Sequence, residues 1–125
     1  MGLLSALLGD ASHADIADVE RDLEAILADD ERVERAFRLV RDLLIFTNRR
    51  FIIVDRQGVT GKKTCYDSIP YRAISHFAVE TAGHFDLESE LKIWLSGSAE
   101  PIQRTFTRGR SILDVQKALA SYVGR

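Results

Sequence analysis

Apolar positions in the first quarter of the chain recur at helical spacing. Ile16, Val19, Leu23, Ile26 and Leu27 form one stripe within residues 12–29, and the other faces are mostly acidic. That period predicts an amphipathic helix. Ser12 and Asp15 stand at the spacing of an N-cap and its reciprocal acid, and Asp29, Asp30 and Glu31 close the segment. From Val33 the period shortens to two. Val33, Phe37 and Leu39 share one face of a strand, with Glu34 and Arg38 opposite. Residues 43–47 and 51–55 follow as strands separated by a tight turn at Asn48. Residues 64–71 make a poorer strand, because Pro70 cannot donate to a ladder and belongs at an edge or bulge. Residues 74–82, 90–96 and 101–107 alternate again, punctuated by Gly83, Gly97 and Gly109. The chain closes with a second helix over 111–123, striped by Ile112, Val115, Leu119, Tyr122 and Val123 and opened by Ser111 and Asp114 at capping spacing. The expected fold is mainly β: about seven antiparallel strands in a sandwich or partly open barrel, plugged by the terminal helix. The chain divides into a helical segment, 1–30, and a β domain, 31–125.

In residues 43–46 and 51–54 both alternating sets are hydrophobic, so both faces of this hairpin require cover. Trp94 likewise opposes the inward set Leu91, Ile93 and Leu95. A lone sandwich covers one face of each sheet. The outer face must therefore meet the N-terminal helices, another subunit, or both. Leu44, Phe46, Ile52, Val54 and Trp94 are the candidate interface residues, and self-association is the expectation they carry.

Composition narrows the function classes. The 125 residues are 46% hydrophobic and 29% charged, a globular profile, and a net charge of −2 gives no general attraction to nucleic acid or anionic lipid. The single Cys65 forms no internal disulfide, which suits a reducing, cytoplasmic setting. The start presents Leu3, Leu4, Leu7 and Leu8 on a run too short to span a bilayer, with Ala6 where an acylation signal wants Ser or Thr. It reads as a short docking helix, with peripheral membrane contact and lipid binding as the alternative.

Between Gly58 and Gly61 stand only Val59 and Thr60, and Lys62 and Lys63 follow. A phosphate-binding loop needs four residues between its glycines, Ser or Thr after the lysine, and then a helix. Here Lys63 holds the Ser/Thr position and a strand follows, so the stretch is a β-turn connection. His84, Asp86 and Glu88 form a candidate functional loop, yet no repeated His or Cys spacing supports a metal. Cys65 has no activating motif, no serine sits in a Gly-x-Ser-x-Gly elbow, and the basic clusters 49–50 and 107–110 lack the interleaved aromatics of a single-strand binder. No catalytic, cofactor or metal site is assigned, and neither an enzyme nor a nucleic-acid partner is expected.

The stretches RDLLIFTNRRFIIVDRQGVTGKK, SIPYRAISHFAVETAGHFDLESELKIWLSG and DVQKALASYV resemble the bacterial pleckstrin-homology domain family, long catalogued as a domain of unknown function. The resemblance runs through essentially the whole chain, and VETAGHFDLE is its most distinctive block. It implies a seven-stranded, bent β-structure capped by a C-terminal helix. It also implies a non-catalytic scaffold that assembles into ring-shaped homo-oligomers, with an unidentified protein partner. Phosphoinositide-binding pleckstrin-homology domains use a basic loop between their first two strands. The corresponding connection here is about Arg41-Asp42, short and charge-neutral, which argues against specific phosphoinositide recognition.

Overall fold

The structure is a computed structural model that describes residues 12–39, 41–57, 63–81, 88–106 and 111–124. Strands β1 (Ser12–His13), β2 (Val33–Arg38), β3 (Asp42–Thr47), β4 (Arg50–Gln57) and β5 (Lys63–Pro70) form one antiparallel meander in chain order. A 3-10 turn, Tyr71–Ala73, carries the chain to a second antiparallel sheet of β6 (Ile74–Thr81), β7 (Ser89–Leu95) and β8 (Ile102–Phe106). Helix α1 (Ile16–Asp22) lies between β1 and β2, and α2 (Ser111–Val123) follows β8. The mainly β, two-sheet plan with a terminal helix is the one read from the sequence. Pro70 is the last residue of an edge strand, where its missing donor costs no central ladder bond.

Two cores flank the first sheet. The larger lies between the sheets and under α2, and gathers Phe37, Leu44, Phe46, Phe51, Leu91, Ile93, Phe106 and Leu119. Helix α2 contributes Ile112, Val115, Ala118, Leu119 and Tyr122, which matches its predicted stripe. The Tyr122 ring stacks on Phe46 at 5.4 Å and on Tyr71 at 4.8 Å, so α2 seals the open end with flat aromatic contacts. The second core is on the opposite face of the first sheet, where Val19 and Leu23 of the α1 region cover Ile45, Ile52 and Val54.

The second core corrects part of the interface expectation. Leu44 and Phe46 are wholly buried between the sheets, and Ile52 and Val54 lie beneath α1. None of the four is presented to a partner while α1 is seated. The hairpin is apolar on both faces because each face has its own core within one chain.

Three local departures have identifiable causes. Helix α1 stops at Asp22 instead of running to 29, and Asp15 rather than Ser12 caps it by accepting from the Asp18 N–H; Ser12 sits in β1, paired with Arg38. After Leu23 the chain turns to serve polar partners: Arg50 donates to the Ile26 carbonyl and the Ala28 N–H donates to Glu31. A bulge in β2 between Val33 and Arg35 breaks the simple alternation. Val33 therefore joins the α1-side core, while Phe37 and Leu39 join the other.

Candidate interaction surface

The outer face of the second sheet is set by the β7 alternation. Leu91 and Ile93 point into the core, leaving Glu90, Lys92 and Trp94 outward. On β6 a bulge between Ile74 and His76 shifts the register so that His76 pairs with Trp94 on that same outward face. Strict alternation from Ile74 would have turned His76 inward, which is why the sequence singled out Trp94 without its neighbour. The His76 and Trp94 rings stack nearly parallel, 4.1 Å apart at 10°. Ser75 donates to the Trp94 carbonyl at 3.1 Å, which holds the bulge against β7. Beyond the aromatic pair, Lys92 bridges to Glu80 at 2.9 Å and lies 3.9 Å from Glu90. The hydrogen bond from Lys92 to Glu80 raises the Lys92 pKa above its ordinary value, so the ammonium stays charged throughout the neutral range. The surface thus joins a rigid, half-exposed aromatic step to a charged strip, a mixture suited to anchoring a protein surface.

Elsewhere polar groups hold the frame. Buried Glu31 accepts from Thr47 Oγ1 at 2.6 Å, from Arg50 Nε at 2.8 Å and Nη2 at 3.0 Å, and from the Ala28 N–H at 3.0 Å. Burial by itself would raise the Glu31 carboxyl, but the bonds from Arg50, Thr47 and Ala28 prevail and hold it down at about 2. Asn48 ties the same corner, accepting from the Arg32 N–H at 2.7 Å and donating to the Asp30 carbonyl at 3.0 Å, while Arg49 pairs with Asp30. An open groove of about 400 Å³ beside this hub is lined by Ile26, Arg49, Arg50, Ser68 and Pro70. The hub's hydrogen-bonding groups are spent on one another, so the groove offers shape without an evident binding chemistry.

A second polar cluster joins the two sheets. Arg104 of β8 lies 2.7 Å from Asp42 and 3.6 Å from Asp55, which are direct neighbours across β3 and β4. Burial raises the Asp42 pKa and the Asp55 carboxylate adds to it, against the pull of Arg104. The arrangement is a clamp with its charges mutually engaged. Its sequence signal was available: Arg104 shares a strand face with Ile102 and Phe106, and an inward arginine requires an acid.

Of the five candidate interface residues, Trp94 alone stands on an open face; of the candidate loop, His84 and Asp86 lie outside the described residues, and Glu88 is exposed immediately before β7. Among the described residues no three metal-capable side chains cluster, and no helix is long and apolar enough to cross a membrane. Residues 58–62 also lie outside the described set, but Gln57 pairs with Lys63, so a strand follows where a phosphate-binding loop needs a helix. Cys65 is exposed on the edge strand.

Two antiparallel sheets, packed over one core and sealed by a C-terminal helix, define a pleckstrin-homology-like domain. Comparison with known proteins agrees: the family model for the bacterial PH domain matches residues 2–123, and the chain belongs to that family. It is 55% identical over 122 residues to the uncharacterized protein YjqA of Bacillus subtilis, covering 97% of this chain and 98% of that one. Among solved structures it is similar to a pleckstrin homology domain from Shewanella amazonensis, with 49% identity, a TM-score of 0.83 and 98% of each chain covered. A family relative with a pleckstrin-homology domain from Shewanella loihica matches at 43% identity and a TM-score of 0.80, covering 92% of this chain and 98% of that one.

Proposed function

We propose that this protein is a non-catalytic interaction module that assembles with copies of itself and presents the assembly to a protein partner. The observation that carries the reading is the stacked His76–Trp94 step on the outward face of the second sheet. A half-exposed tryptophan held flat by its neighbour is a pre-ordered anchor, because little side-chain freedom remains to be lost on docking. If that face meets a different surface on the next subunit, the contact is head-to-tail, and a rotation that closes generates a ring. Between β2 and β3 the chain leaves only residues 39–41, too short a connection to wrap a phosphoinositide head group.

Size-exclusion chromatography with light scattering tests the reading. The wild type is expected to run with a mass of several subunits at micromolar concentration. Trp94→Glu is expected to weaken association by at least ~10-fold, since a central aromatic anchor typically contributes more than about 1.4 kcal/mol. A monomeric wild type across that range would remove the self-assembly reading. Salt-sensitive co-sedimentation with anionic vesicles, lost on deleting residues 1–9, would instead favour a lipid-binding module.

A further inference from the structure

Charge is unevenly distributed along this chain. Residues 15–31 carry eight Asp or Glu and one Arg, a net of −7, so the rest of a chain that is −2 overall stands at +5. The acids lie on α1 and the turns that follow it, and most of them are exposed. Among them is an open groove of about 500 Å³, lined by Ala17, Leu27 and Ala28 together with Glu20, Glu24 and Asp29. Ala17, Glu20 and Glu24 recur at three- and four-residue steps, so they share the side of α1 turned away from buried Val19 and Leu23. Leu27 is half-buried against the α1-side core, which fixes an apolar base for the groove.

The acids are placed where they cost this helix stability. Asp18 and Asp22 are like charges four residues apart, as are Glu20 and Glu24, and each such pair works against a helix. Asp22 and Glu24 also stand at the C-terminal end of α1, where the helix dipole disfavours an anion. Arg21, the cation on the groove lining, is taken by Asp18. Glu20 is held in place by accepting from the Val33 N–H at 2.9 Å. Glu24 and Asp29 have no ion-pair partner among the described residues. A seven-residue helix has little stability to spare for this arrangement. Local rules broken without compensation inside the chain mark a surface kept for something outside it.

Resting on the reading of this protein as an interaction module, we infer that the α1 groove docks a basic, amphipathic segment of a different protein. Charge complementarity selects the occupant. Its lysines or arginines meet Glu20, Glu24 and Asp29, while an apolar side chain between them lies on Ala17, Leu27 and Ala28. Glu20 and Glu24 are one helical turn apart, about 6 Å, which suits cations one turn apart on a partner helix. The same field repels an anionic partner such as nucleic acid or an acidic membrane. The His76–Trp94 step belongs to the other sheet, so a copy engaged there keeps its groove free for the partner.

The test uses the full-length protein and a fluorescein-labelled helical peptide with lysines along one face and leucines along the other, read by fluorescence anisotropy. Saturable binding that weakens with added salt is expected. Glu24→Lys/Asp29→Lys should weaken it about tenfold. Glu88→Lys/Glu100→Lys, which makes the same change in net charge outside the groove, should leave it within about twofold. All four positions are exposed, and circular dichroism checks that each variant keeps its fold. Absence of saturable binding to the wild type overturns the inference. Equal weakening in the two double variants overturns it too, as does equally tight binding of a peptide with glutamate in place of lysine. Light scattering without peptide separates this result from the self-assembly reading. A monomeric wild type that binds the peptide removes self-assembly and leaves the groove standing. A multi-subunit wild type whose mass falls in Glu24→Lys/Asp29→Lys makes a second copy the occupant and overturns the inference.

Discussion

Glu31→Ala is expected to lower the unfolding free energy by about 3 kcal/mol, read from urea denaturation at neutral pH. The side chain is 1% exposed and ties three separate segments: the Ala28 turn, the Thr47 hydroxyl and the Arg50 guanidinium. Truncation removes a partner from all three. Arg50 is 24% exposed and keeps its bonds to Ser68 and the Ile26 carbonyl, so water and those partners hold the loss near the lower end for a broken buried pair. Glu31→Gln keeps the shape and one acceptor, and is expected to lose about half as much.

The same carboxylate makes stability depend on acidity. Its folded pKa of about 2 lies below the ordinary 4.5, so its contribution is complete above 4.5 and is lost as pH falls from 4.5 towards 2. Linkage caps this contribution at about 3 kcal/mol, and screening near the partly exposed Arg50 reduces it to about 2 kcal/mol. Denaturation curves at pH 6 and pH 3 should therefore differ more for the wild type than for Glu31→Gln. An equal drop in both proteins would place the acid sensitivity elsewhere.

Leu23→Asp is the second large effect. Leu23 and Val19 are 4% and 2% exposed, and these side chains, on α1 and at its C-cap, cover Ile45, Ile52 and Val54. A carboxylate at Leu23 has no cationic partner in that core, and seating it is expected to cost about 3 kcal/mol. Helix α1 has only seven residues and little stability of its own. The expected outcome is release of the helix while β2–β8 stay folded, seen as increased binding of a hydrophobic dye with the β signal in circular dichroism retained. Ile16 and Ile26 are 41% and 40% exposed, so Ile16→Asp and Ile26→Asp should leave dye binding near the wild-type level. If all three variants behaved alike, α1 would not be the cover of this face.

Apolar runs and alternation, with the turn residues between them, were enough to place β2–β8 and α2, and Pro70 falls where an edge strand tolerates it. The two bulges were hidden, since one inserted residue in β2 or β6 reverses the face of everything beyond it without altering composition. That reversal separated Val33 from Phe37 and brought His76 beside Trp94. Glu31 was missed for another reason. An acid in an Asp-Asp-Glu run ordinarily ends a helix in solvent, and its partner Arg50 lies 19 residues away across a hairpin. The two-sided hydrophobicity of residues 43–46 and 51–54 was legible, and it required a cover. Whether that cover came from the same chain or a second one depended on the docking of α1, which periodicity does not encode.

Hydroxyl-radical footprinting across a concentration series tests the central claim, that assembly uses the surfaces left open once α1 is seated. Trp and His side chains react readily, so His76 and Trp94 are natural reporters of these surfaces. As light scattering records the rise from monomer to assembly, labelling at both residues should fall together, while Ile45 and Ile52 stay unlabelled throughout. Constant labelling at both while the mass rises would contradict the account, as would labelling of Ile45 and Ile52 in the dilute protein that disappears on assembly.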